Sequence, residues 1–184
     1  ITGQYSPAGL FGIVEEQGSI ESLSVRGVVS VSDSADTTTG GIVGINHGTL
    51  ISCQFTGVVT GDSEVGGIVG RNESEGTIDH STARAIVTGK SSTGGIAGYN
   101  LGAITGCTNV GSINTEYQEA SLDTDGFTAK MVDYINNKMA AAADDATNSV
   151  TNVATDTGGI AGRSSGMILT SVNTGTVGYE HIGY

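Results

Sequence analysis

The stretch Gly40-Gly41-Ile42-Val43-Gly44-Ile45-Asn46-His47-Gly48-Thr49-Leu50-Ile51-Ser52-Cys53 decides the fold, because its first five residues come back along the chain. They return as Gly66-Gly67-Ile68-Val69-Gly70, as Gly94-Gly95-Ile96-Ala97-Gly98 and as Gly158-Gly159-Ile160-Ala161-Gly162, with Ala8-Gly9-Leu10-Phe11-Gly12 as a weaker first copy. The four strong boxes begin 26, 28 and 64 residues apart, so the last interval holds a long insertion. A repeat of this length marks a stacked architecture, in which one unit cannot bury its own core and depends on its neighbours.

The remainder of each unit aligns in columns. An apolar column runs through Ile20, Leu50, Ile78, Ile104 and Ile168. Three residues on lie Leu23, Cys53, Ser81, Cys107 and Ser171. Steps of two then give Val25, Phe55, Ala83, Asn109 and Asn173, next the column of Gly27, Gly57, Ala85, Gly111 and Gly175, and last Val29, Val59, Val87, Ile113 and Val177. Alternation with a period of two belongs to a strand with one buried face. The jump of three predicts a bend, giving about three short strands per unit. The expected fold is all-β: a right-handed parallel β-helix of about five coils forming a single domain over residues 1–184, with one inserted α-helix.

Composition agrees. The 184 residues include 30 Gly and 1 Pro, without the three-residue period of collagen, and only 14% are charged. The chain carries 7 Lys+Arg against 19 Asp+Glu, a net charge of −12, which excludes a nucleic-acid binder because no basic stripe is available to neutralise phosphates. No apolar run is long enough to span a membrane, so membrane insertion is not expected. The absence of an initial Met predicts a fragment of something longer.

Residues 117–155 break the pattern. Phe127, Met131, Ile135 and Met139 recur every four residues after a capping Asp125, which predicts a helix over residues 127–145. That helix would shield a flank of the solenoid or dock a partner through Met131 and Met139.

A turn column of Asn46, Asn72, Asn100 and Ser164 suggests amides bonded along the stacking axis, with a ligand site as the sharper alternative. Cys53 and Cys107 share a column with Ser81 between them, about 9–10 Å apart, too far for a disulfide. His47, His80 and His181 have no partners at metal-ligand spacing, and His47 and His80 read as surface residues. Asp33 and Asp36 fall in one loop and Asp62 and Glu64 in the equivalent loop of the next coil. Stacked, those four carboxylates would suit Ca²⁺ or, less well, acid–base cleavage of a polysaccharide, with solvated loops as the plain alternative. Lys90 in the following loop argues against such a cluster. An outward column of Ile45, Arg71, Tyr99 and Arg163 offers a binding strip in Arg71, Tyr99 and Arg163. No catalytic residue, cofactor or bound metal is expected.

The string from Gly40 to Cys53, Gly-Gly-Ile-Val-Gly-x-Asn-x-Gly-Thr-Leu-x-x-Cys, resembles the GLUG repeat, over roughly residues 8–115 and 156–184. That repeat occurs in large bacterial surface and secreted proteins, including non-catalytic regions of IgA-cleaving metallopeptidases. The tail Gly175-Thr176-Val177-Gly178-Tyr179 reads as the lead-in to another box and predicts a repeat continuing past Tyr184. Clear repeats, an acidic surface and no catalytic constellation, with the resemblance, lead to the expectation of a structural or adhesive module of a secreted or cell-surface bacterial protein; the partner is left open, with a host glycan or protein as candidates. A carbohydrate-binding or polysaccharide-cleaving β-helix and an accessory domain of a surface peptidase are the alternatives. No HExxH motif is present, so peptidase chemistry is not carried by these residues.

Overall fold

A computed structural model of the chain describes residues 1–3, 6–31, 37–115 and 155–178. Every regular element among them is a strand, and every strand pairing is parallel. The strands form a β-solenoid of about four turns, rather than the five coils expected, with four strands in a full turn rather than three. The helix expected over residues 127–145 lies outside the described residues.

Four sheets run along the axis. A lead-in sheet stacks Thr39–Gly40, Val65–Gly66, Ser91–Gly94 and Thr155–Gly158. A Gly-box sheet stacks Phe11–Val14, Val43–Asn46, Val69–Asn72, Ala97–Asn100 and Ala161–Ser164. A short sheet stacks Ser19–Glu21, Thr49–Ile51, Thr77–Asp79, Ala103–Thr105 and Met167–Leu169. The long sheet runs from Thr2–Gly3 through Ser24–Val31, Gln54–Thr60 and Thr82–Thr88 to Thr108–Asn109 and Val172–Asn173, with Ser112–Ile113 also paired to Thr82–Thr88. The extra strand is the lead-in. In the second and third turns it is two residues long and puts buried Thr39 or Val65 inside, too short to show as an alternating run.

The Gly box makes the corner between the lead-in and Gly-box sheets. A Cβ on Gly66 would strike the Val69 carbonyl and sit 2.8 Å from the Gly98 nitrogen of the next coil. A Cβ on Gly41 would lie 2.5 Å from Cγ of Phe55, the bulkiest fully buried side chain. Glycine is needed here for close approach of backbone to backbone and to ring. In the first copy the pairing slips by one residue: Ala8 bridges Thr39 while Phe11 pairs with Val43.

Inside, the columns stack as read. Leu50, Ile78 and Ile104 are fully buried in register, as are Ile42, Ile68 and Ile96 from the boxes, and Val59, Val87 and Ile113 close the third side. Each such side chain contributes roughly 1.5–3 kcal/mol of burial. The bend between short and long sheets is made by residues at positive φ: Ser22, Ser52, His80, Gly106 and Thr170, at 54, 54, 45, 61 and 47°.

Cys53 and Cys107 are free and buried, as their register requires. Ser81 links them: its hydroxyl accepts the Cys53 amide at 3.1 Å, and its own amide donates to the Cys107 sulfur at 3.4 Å. Burial pushes both thiols up, Cys107 to about 11.

Candidate functional site

The Asn column is internal. Asn46, Asn72 and Asn100 are fully buried, and each Nδ2 donates to the next rung: Asn46 to Asn72 at 2.8 Å, Asn72 to Asn100 at 2.9 Å, Asn100 to the Ser164 hydroxyl at 3.1 Å. The same amides also donate to turn carbonyls at Gly48, Gly76 and Gly102. A second ladder, which the sequence columns contain without announcing, joins Asn109 to Asn173 at 2.7 Å in the column that elsewhere holds Val25, Phe55 and Ala83. These amides are committed to coil stacking.

The strip lies on the Gly-box sheet. Register places Ile13, Ile45, Arg71, Tyr99 and Arg163 in one column. Strand spacing near 4.8 Å brings side chains of one column within cation–π reach, about 6 Å of a ring centroid. The Arg71 guanidinium carbon lies 5.2 Å from the Tyr99 ring centroid and that of Arg163 lies 5.5 Å away, from the coils on either side. Both faces of the ring are thus occupied by cations, each contact worth ~0.5–1 kcal/mol at an exposed site.

The two arginines differ. Arg71 bonds Glu64 at 2.8 Å and reaches Glu73 at 3.7 Å, while the other Glu64 oxygen accepts the Thr38 hydroxyl at 2.9 Å. Its Nε is buried without a hydrogen-bond partner. Arg163 is exposed and makes no ion pair among the described residues. The strip therefore offers one free guanidinium braced on an aromatic ring and one already neutralised.

Asp62 is paired with Lys90, and Glu64 with Arg71. Asp33 and Asp36 lie outside the described residues, as does His181. No group of three or more His, Cys, Asp or Glu that would hold a metal occurs among the described residues. His80 is exposed and bonds Asp79 at 2.8 Å, and His47 is half-buried beside the Asn ladder.

The molecule is a parallel β-solenoid built from Gly-box coils. Residues 61–88, which run from one loop through the second strong box and its long strand, match the family described as the GLUG motif. Over 75 residues the chain is 35% identical to halomucin of Haloquadratum walsbyi (strain DSM 16790 / HBSQ001), an alignment covering 41% of this chain and 1% of halomucin. No solved structure matches the chain.

Proposed function

We propose that this chain is a non-catalytic repeat module of a secreted or cell-surface protein, a segment that builds length and presents a surface. One observation carries the reading: the buried Asn and Ser side chains that recur in register are used to join coil to coil. Asn46, Asn72 and Asn100 form a closed ladder, and Ser81 bridges two buried cysteines. Side chains so committed leave no pair of groups poised as acid and base in those columns. The GLUG motif and the likeness to halomucin, which the chain matches over a very small share of that protein's length, support a place within a long surface protein.

The test is location. Antibody raised against the chain is applied to producing cells, intact and permeabilised, and to their medium. Labelling of intact cells or recovery from the medium is expected. Labelling that needs permeabilisation, with a clean medium, overturns the reading.

A further inference from the structure

We infer that the outer face of the long sheet binds an anionic polysaccharide. This goes beyond the surface location proposed above and does not depend on it.

The argument begins with charge. The chain carries −12, yet among the described residues no Asp or Glu occupies an outward position on the long-sheet strands. Two cations stand there instead. Arg26 and Arg84 are exposed, and neither makes an ion pair among the described residues. Both pair in register with Thr56, so they lie on one column, two rungs or about 9.6 Å apart along the axis. The outer face of the long sheet is thus an acid-free window in an acidic chain, holding two guanidiniums that make no ion pair among the described residues, which favours anions there.

Shape selects among anions. The strands Ser24–Val31, Gln54–Thr60 and Thr82–Thr88 run parallel and seven residues in full register, giving a level face rather than a groove. Next to the arginine column stands an apolar ridge of Val28, Val58 and Ile86, with Val28 52% and Ile86 48% exposed. Beyond the ridge comes a column of hydroxyls from Ser30, Thr60 and Thr88. Cation, apolar and hydroxyl columns side by side, each repeating every rung or two, suit a polymer that itself repeats. Such a polymer has carboxylates or sulfates for the guanidinium forks, an apolar C–H face for the ridge and hydroxyls for the threonines. A folded acidic protein without a repeat has no reason to space its charges by the rung. One ridge three residues long is too little apolar surface to insert into a lipid layer.

The experiment uses the intact chain in native affinity electrophoresis at low salt, with polygalacturonate, dextran sulfate or neutral dextran in the gel. Retardation by at least one of the charged polymers, fading as salt is raised, and none by neutral dextran, is expected. Polygalacturonate against dextran sulfate separates carboxylate from sulfate recognition. The double variant Arg26→Ser/Arg84→Ser changes two exposed side chains and should weaken retention at least tenfold. Thr56→Glu, which puts a carboxylate between the arginines, should do the same, with circular dichroism unchanged in both. Equal retention of both variants and the parent, no retention by either charged polymer, retention by neutral dextran, or binding to phosphatidylserine vesicles in its place would each overturn the inference.

Discussion

Asn72 donates from Nδ2 to Oδ1 of Asn100 at 2.9 Å, while its own Oδ1 accepts from Asn46 at 2.8 Å. It is the middle rung of a ladder closed off from water, and both neighbours need it. Asn72→Ala leaves an Asn46 hydrogen and an Asn100 oxygen without those partners in the interior. The expected loss is about 2–4 kcal/mol in urea unfolding. Asn100→Ser should cost less, since the ladder already passes to a hydroxyl at Ser164. Equal, small effects of the two changes would mean that water replaces the missing amides.

The buried thiol predicts a pH dependence. Loss of solvent, with the charge of Asp79 adding to it, lifts Cys107 from 9.0 to about 11 against backbone hydrogen bonds that oppose the rise. A raised folded value means the folded state keeps a proton that the unfolded chain gives up. Stability from this group is whole below the unfolded value near 9.0 and drains away as pH climbs to about 11, by ~2–3 kcal/mol. Cys107→Ser should remove this group's share of the alkaline slope and leave that of Cys53, whose thiol burial also raises. At neutral pH it should cost under about 1 kcal/mol, because Ser81 and Ser171 fill the same column and make the matching bonds to Cys53 and Cys107. Urea melts of both proteins at pH 7 and pH 10.5 settle it.

The repeat was legible because Ile and Val recur at fixed offsets, and the columns through Leu50, Phe55 and Val59 stack in the register their spacing implies. What escaped had no distinctive residue type. Thr39–Gly40 and Val65–Gly66 are strands of two residues, below the length at which alternation shows. Asn109 and Asn173 replace Val, Phe and Ala in one column, so their ladder looks in sequence like a lapse in hydrophobicity. The strip of Arg71, Tyr99 and Arg163 was visible as a column, but its stacking arises from rung distance, and the hold of Glu64 on Arg71 comes from a preceding loop. Of the suggested carboxylate grouping, Asp62 pairs with Lys90 and Glu64 with Arg71, while Asp33 and Asp36 lie outside the described residues.

The bend residues carry backbone strain that a substitution relieves. Ser52 is exposed at a φ of 54°, where an L residue pays about 1–2 kcal/mol, and Gly106 holds the equivalent place two coils on. Ser52→Gly removes that strain and gives back part of it as unfolded-chain entropy, for a net gain of about 0.5 kcal/mol. Ser52→Val should lose more than about 1 kcal/mol, since a β-branched side chain tolerates this region least. Thermal unfolding should rank the three as Gly, Ser, Val. A Val variant as stable as the parent would show that this bend relaxes to another geometry.

Two glycines, one in the first turn and one in the third, should respond in opposite ways to the same added methyl. Gly27 lies on the long sheet, where an added Cβ would have nothing within 4 Å, and Ala85 already fills its column two rungs away. Gly27→Ala therefore meets no obstacle and restricts the unfolded chain, for a gain of about 0.4–1 kcal/mol. Gly66 sits at the corner, where the methyl would collide with the Val69 carbonyl and press on the Gly98 amide of the next coil. Those are backbone atoms held by the parallel ladders of the Gly-box sheet, so neither can give without breaking rungs on both sides. Gly66→Ala should cost more than about 3 kcal/mol or prevent folding, as overpacking of an interior that cannot shift does. Because each coil rests on its neighbours, the damage should spread beyond one turn and lower the cooperativity of unfolding as well as its midpoint. Comparable stability of the two alanine variants would mean that the box is not the corner on which the solenoid turns.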